Sequence, residues 1–104
     1  MKESIIQKAV LDYLELFSRT HNIYYFRAGA GAVKTQQGRY FKTGKAGLSD
    51  IIALFKGKFI GLEVKTKTGR QTQSQKKAER EIKEAGGEYH IVRSIADVKE
   101  ILPI

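Results

Sequence analysis

Three residues of the sequence could do chemistry together: Asp50, Glu63 and Lys65. Two carboxylates that face each other repel unless a cation lies between them. Magnesium prefers one or two carboxylates, completed by water and phosphate oxygens. An ammonium group two residues beyond Glu63 adds positive charge toward the same point. These groups together could polarise a phosphodiester, activate water and stabilise the negative charge that develops.

A hairpin is needed to bring these residues together. Two apolar runs flank Lys56-Gly57-Lys58, which is a typical β-hairpin pattern. A two-residue loop at the first two positions would place Asp50 opposite Glu63, and one at the last two would place it opposite Lys65. A three-residue loop would separate the two carboxylates onto opposite faces. An ordinary charge cluster on a surface hairpin is the alternative interpretation.

The remaining pattern supplies the elements that position the hairpin. Side chains alternate along a strand, so Ile60, Leu62 and Val64 should face the core, away from Glu63. We predict three helices: over 4–17, from Thr72 or Ser74 to about 85, and from 95 to just before Pro103. We predict four strands, over 23–27, 50–55, 59–65 and 88–92, and consider a fifth, short strand over 39–42. The order α-β-(β)-β-β-α-β-α predicts an α/β (α+β) fold in one domain, 1–104, with a mixed sheet flanked by helices.

Helix-capping patterns mark three of the predicted helix starts. Ser4 with Gln7 fits a capping box, as do Thr72 with Gln75 and Ser94 with Asp97.

Three further polar residues lie where they could serve the same site. Glu3 falls on the flank of the apolar stripe of the first helix, with Gln7 further along the same edge. Gln75 sits on the inward edge of its helix. Glu3 and Gln75 also have simpler interpretations. The negative charge of Glu3 could serve simply to interact favourably with the helix dipole, and Gln75 could serve simply to cap its helix.

The charge of the chain points to a polyanionic partner. Lys and Arg total 19 against 11 for Asp and Glu, a formal charge of +8. Nucleic acid is the first candidate and an anionic membrane surface the second. The basic residues that we consider as phosphate contacts are Arg27, Lys34, Arg39, Lys42, Lys45, Lys67, Arg70, Lys76 and Lys77.

Composition also excludes several classes of protein. The chain has no cysteine, which excludes disulfides and thiolate zinc sites. No apolar run approaches the roughly 18 residues that a membrane span requires. The first residues lack the pattern of a signal peptide, so we expect a cytoplasmic protein.

A combination of motifs resembles a known superfamily. The tetrapeptide Gly47-Leu48-Ser49-Asp50, then Glu63-Val64-Lys65, then Gln75 is similar to the PD-(D/E)XK nucleases. Within that superfamily the chain resembles a stand-alone VRR-NUC domain, the virus-type replication–repair nuclease module, over nearly its whole length. Ser49 stands where the superfamily name has proline, at a position that shapes the approach to the strand and is not a metal ligand.

The resemblance implies a restriction-endonuclease-like core and a specific division of roles. Mg²⁺ or Mn²⁺ would be bound by Asp50, Glu63 and the Val64 carbonyl, with Glu3 nearby and Gln7 in support. Lys65 would orient or help activate the attacking water. Gln75 would support Lys65 or the scissile phosphate.

The resemblance also implies a substrate and an assembly. Minimal members resemble homodimeric Holliday-junction resolvases, so we expect a homodimer that cuts branched DNA in repair. A phage protein that acts in the host cytoplasm would fit this expectation. A non-catalytic basic nucleic-acid-binding module, or a nicking nuclease without junction preference, stays open as an alternative.

Overall fold

The fold is a mixed sheet with helices packed on it. The computed structural model describes residues 1–28, 32–34, 36–38, 40–42 and 47–103. In chain order the elements are α1 Glu3–Ser18, β1 Ile23–Arg27, β2 Ala32–Lys34, β3 Tyr40–Lys42, β4 Ile51–Phe55, β5 Lys58–Val64, α2 Gln73–Glu84, β6 Glu88–Val92 and α3 Ile95–Ile101. The predicted α/β class is confirmed. Within the described ranges, no helix has both the length and the apolar character needed to cross a bilayer.

The main sheet has the strand order β1-β4-β5-β6. The pairs β1–β4 and β4–β5 are antiparallel, whereas β5 and β6 are parallel. Parallel neighbours need a crossover between them, and α2 supplies it. Strands β2 and β3 form a separate antiparallel pair. Strand β2 was not predicted, since Ala32-Val33-Lys34 is short and follows a small-residue tract without a strand pattern.

Helix α1 packs its apolar stripe against one face of this sheet. Val10, Leu14 and Phe17 are buried in a core cluster that also contains Ile51 and Leu62. Burying one such side chain contributes about 1.5–3 kcal/mol, so this layer is the main support of the hairpin. The prediction that Ile60, Leu62 and Val64 face the core is confirmed.

The β4–β5 hairpin closes through a two-residue loop at Lys56 and Gly57. Both have positive φ, 53° and 76°, as a type I′ turn requires. Phe55 pairs with Lys58, and Ile51 pairs with Leu62. One step further along this register, position 50 lies opposite position 63. The loop therefore has the parity that brings the two carboxylates to one face.

Two of the three predicted capping boxes are wrong. Helix α1 begins after Lys2, so Ser4 lies inside the helix and cannot cap it. Ser94 is the N-cap of α3, but its side chain makes no capping hydrogen bond. The Asp97 carboxylate instead accepts a hydrogen bond of 2.8 Å from the backbone N–H of Arg93.

Candidate active site

Asp50 lies just before β4, where backbone groups from both neighbouring strands hold it. The backbone N–H of Val64 donates to Asp50 Oδ2 at 2.8 Å. The backbone N–H of Ala28 donates to the Asp50 carbonyl, also at 2.8 Å. The hydrogen bond from Val64 fixes one carboxylate oxygen against the end of β5. The sheet itself therefore orients the Asp50 side chain.

Glu63 is a buried carboxyl group, only 3% exposed. Its Oε2 accepts a hydrogen bond of 3.2 Å from Gln75 Nε2, while Oε1 has no hydrogen-bond partner among the described residues. Burial and the Asp50 carboxylate raise the pKa of Glu63 to about 8, and Glu3 adds to the rise while Lys65 opposes it. The Glu63 carboxyl group therefore lies where its charged form is unfavourable, and a bound cation would stabilise that charged form.

Lys65 extends β5 toward the same site. Its backbone N–H donates to the Val92 carbonyl at 3.0 Å, which continues the pairing with β6. The side chain is buried, and its stem passes beneath Gly69, where an added Cβ would lie 3.5 Å from Lys65 Cδ. The ammonium group stabilises the charged form of Glu63. Its position therefore depends on the loop that covers it.

Arg93 holds that loop, 66–69, in place. Its Nη1 donates to the carbonyl oxygens of Thr66 at 2.6 Å, Gly69 at 2.8 Å and Lys67 at 3.3 Å. Hydrogen bonds from a charged donor are stronger than neutral ones, and here the two hydrogens of Nη1 are shared among three carbonyl groups of the loop. Arg93 is therefore a positioning residue for the segment that covers Lys65. Sequence reasoning missed it because no local pattern links β6 to this loop.

Gln75 combines the two roles that its position suggested. Thr72 Oγ1 accepts from the Gln75 backbone N–H, and Gln75 Oε1 accepts from the Thr72 backbone N–H at 2.9 Å, so the predicted capping box is confirmed. The Nε2 group of the same side chain donates a hydrogen bond of 3.2 Å to Glu63 Oε2. The contact is with Glu63, whereas the resemblance implied Lys65 or the scissile phosphate.

Two glycines let the segment before Asp50 approach the rest of the site. Gly47 has φ +77°, and a Cβ there would lie 2.1 Å from the Ser74 carbonyl oxygen at the start of α2. A Cβ on Gly61 would lie 2.6 Å from Ser49 Oγ. Ser49, at the proline position of the superfamily pattern, is thus fully buried over β5. Sequence reasoning gave neither Ser49 nor Gly61 this packing role.

Unpartnered polar atoms cluster around the carboxylates. Among the described residues, Ser49 Oγ, Glu63 Oε1 and Tyr89 OH are buried without a hydrogen-bond partner. Tyr89 pairs with Gly61 across the parallel strands, and burial raises the pKa of its hydroxyl. Buried polar groups are normally satisfied, so such a cluster marks a place where a ligand or water is expected.

A cleft of about 240 Å³ opens beside Asp50. Its lining residues are Glu3, Ser4, Gln7, Arg27, Asp50 and Val64. Glu3 is exposed in the first turn of α1 and stands at the rim rather than on the core margin. The cleft therefore joins Asp50 to the predicted outer residues Glu3, Gln7 and Arg27.

The donor set fits a hard divalent cation with few protein ligands. Within the described part of the chain, no group of three or more His, Cys, Asp and Glu side chains is arranged to hold a metal, so Glu3 does not complete a three-carboxylate group. The pair Asp50 and Glu63 still meets the need of Mg²⁺, which commonly takes one or two carboxylates and keeps several waters. The unpartnered Oε1 of Glu63 is the observation that favours this fit.

The predicted phosphate contacts divide by location. Arg27 lines the cleft, and Lys67, Arg70, Lys76 and Lys77 are exposed on the loop and helix that follow Lys65. The backbones of Lys34 and Lys42 lie in β2 and β3, but their side chains, and Arg39 and Lys45 altogether, lie outside the described residues.

Comparisons with protein-family models, with curated proteins and with solved structures found no match to this chain, so the case for a function rests on the geometry of the site.

Proposed function

We propose that this protein is a Mg²⁺-dependent DNA endonuclease that hydrolyses phosphodiester bonds, with its active site at Asp50, Glu63 and Lys65. The observation that carries the proposal is the convergence of two carboxylates on one buried point. Asp50 is held there by the Val64 N–H, and Glu63 presents an oxygen without a partner among the described residues.

Charge and position support a nucleic-acid substrate. The chain carries a formal charge of +8, yet two of its 11 acidic residues, Asp50 and Glu63, face each other at this site beside Lys65. A module that only bound phosphates would gain nothing from burying Glu63 beside Asp50, because both acids repel the ligand. The buried pair of carboxylates therefore favours the nuclease over the non-catalytic binding module.

Each residue of the site has a distinct task in this proposal. Mg²⁺ (or Mn²⁺), when bound by Asp50 and Glu63, would supply a Lewis acid beside the scissile phosphate. Lys65 would orient the attacking water and stabilise negative charge on the phosphate. Gln75 keeps Glu63 in place through its amide hydrogen bond, and Arg93 keeps the cover over Lys65 in place.

The described elements favour substrate selection by shape. Strong sequence specificity needs an element placed in the major groove, and among the described residues only the β2–β3 pair lies outside the main sheet and the helices packed on it. One short ribbon per copy could read few base edges, so selectivity would come mainly from geometry, which a symmetric homodimer provides by fixing the distance between two active sites. We therefore propose branched DNA, such as a Holliday junction, as the preferred substrate.

The test is cleavage of a labelled four-way junction, a linear duplex and a single strand, each with and without Mg²⁺. Lys65→Ala and the isosteric Lys65→Met should lower the cleavage rate by about 10²–10⁴-fold, the usual contribution of one catalytic group. DNA affinity should change less than about threefold, since one phosphate contact among many is lost.

The matched control is Lys99→Ala, which removes an exposed lysine of α3. It should leave both rate and affinity unchanged. Wild-type cleavage by both Lys65 variants would remove Lys65 from the mechanism. Metal-independent binding without cleavage of any substrate would instead favour the non-catalytic module.

A further inference from the structure

Four large apolar side chains stay exposed on one face of the main sheet: Tyr24, Phe26, Leu54 and Phe59. Their exposed fractions are 68%, 46%, 48% and 38%. Tyr24 pairs with Leu54 and Leu54 pairs with Phe59, so these three lie side by side across β1, β4 and β5. Phe26 lies on the same face, two residues further along β1. We call these four residues the sheet patch.

The sheet patch shares its face with the candidate active site. Leu54 and Asp50 are four residues apart, so they have the same parity and lie about 13 Å apart along the strand direction. Helix α2 packs on the β6 side of the sheet. The sheet patch therefore lies on the β1 side of this face, at the end of β4 that is far from Asp50.

The area of the patch is close to what a dimer interface needs at its centre. Taking about 200 Å² for a whole aromatic side chain, the four residues leave roughly 400 Å² of apolar surface exposed. A standard interface covers about 800 Å² on each partner and is about 65% apolar in homodimers. The sheet patch thus supplies most of the apolar area that one partner must contribute.

Contacts around the patch argue against a nucleic-acid ligand there. The rings of Tyr24 and Phe26 are inclined by 58° with centroids 6.1 Å apart, so they do not form a flat platform for stacked bases. The two lysines at this end of the sheet each contact another side chain. Lys56 Nζ lies 5.3 Å from the Phe55 ring centroid, and Lys58 pairs with Glu88 at 3.8 Å.

We propose that the sheet patch is the surface through which two copies of this chain associate. A two-fold interface uses the same surface on both copies, and an uncharged centre with charges only at its margin suits such self-pairing. In such a dimer, the two candidate active sites would lie on sheet faces that are joined through the patch. That the dimer makes paired cuts in DNA rests on the proposed function, whereas the association itself does not.

The experiment is sedimentation of the whole chain, without DNA, as wild type and as two variants. Leu54→Lys and Tyr24→Lys each place a charge at the centre of the patch, and Tyr24 is exposed enough that folding should not depend on it. The matched control is Leu16→Lys, since Leu16 is 50% exposed on α1, across the sheet from the patch. Circular dichroism checks the fold of each variant.

Wild type and the Leu16 variant should sediment at twice the 11.7 kDa of one chain. Both patch variants should associate at least about tenfold more weakly, as expected for a central interface residue. Added salt should strengthen the wild-type dimer by screening the repulsion between two +8 chains. A wild-type monomer, folded patch variants that stay dimeric, or a monomeric Leu16 variant would each overturn the proposal.

DNA assays on the same variants separate this proposal from the nuclease. Folded Leu54→Lys should still nick linear duplex with Mg²⁺ but should lose paired cuts in a four-way junction. If no variant, wild type included, cleaves DNA while the masses behave as expected, the nuclease is refuted and the association stands. Unchanged mass with weaker binding to a single-stranded oligonucleotide would overturn self-association in favour of a base-stacking surface.

Discussion

Replacing Glu63 with glutamine should make the metal-free protein more stable, and increasingly so as pH rises. The buried carboxyl group faces Asp50, and its Oε1 lacks a partner among the described residues. Glutamine has the same length and accepts the same hydrogen bond from Gln75, but it never becomes charged. The substitution therefore removes the ionisable group while leaving the packing in place.

The sign and size follow from the pKa. Folding raises the pKa of Glu63 from 4.5 to about 8, so the folded protein holds this proton more tightly than the unfolded chain does. Stability from this group is fully present below pH 4.5 and is lost as pH rises toward 8. At about 1.4 kcal/mol per pKa unit, wild type should lose about 3 kcal/mol between pH 4.5 and 7 relative to Glu63→Gln.

Thermal unfolding in EDTA at pH 5, 7 and 8.5 measures this difference. The melting temperature of Glu63→Gln should exceed that of wild type by at least about 10 °C at pH 7, and by much less at pH 5. Glu79→Gln is a control of opposite sign, because hydrogen bonds from Lys83 and Gln71 lower the pKa of Glu79. It should destabilise the protein at neutral pH and matter less in acid. A Glu63→Gln difference that does not vary with pH would refute the reasoning.

Two further predictions concern the metal and the loop over Lys65. Mg²⁺ or Mn²⁺ should raise the melting temperature of wild type, because a ligand bound only by the folded state stabilises it. Asp50→Asn should abolish most of that shift. Equal shifts in wild type and variant would show that the metal does not bind at Asp50. Arg93→Gln should lower kcat by about 10²-fold through misplacement of Lys65, with KM for DNA nearly unchanged. Arg93→Lys should restore part of kcat, and a parallel change in kcat and KM would mean that Arg93 has no positioning role.

The sequence predicted those parts of the site that local pattern determines. Period-two alternation and the Lys56-Gly57-Lys58 segment limited the hairpin to a few registers, and the structure has the one that places position 50 opposite position 63, with a two-residue turn at Lys56 and Gly57. The dual role of Gln75 was also accessible, since a capping box and an inward helical edge are both local patterns.

Long-range contacts account for what the sequence did not show. Arg93 reaches carbonyl groups 24–27 residues away, and neither end carries a motif that indicates the other. The failed capping boxes have a different cause. The S/T-x-x-E/Q pattern is short enough to occur inside a helix. This happens at Ser4, because helix α1 already begins at Glu3.

The hydrogen bonds of Gln75 have a consequence for which substitutions the protein can accept. A capping box is satisfied equally by glutamine or glutamate at this position, so α2 alone would tolerate either. A glutamate would, however, put a third carboxylate within hydrogen-bonding distance of Glu63 Oε2, where the amide now donates at 3.2 Å. The choice between two residues that a helix treats alike is thus imposed by a strand twelve residues earlier, and a sequence redesign guided by helix propensity alone would damage the site without damaging the helix.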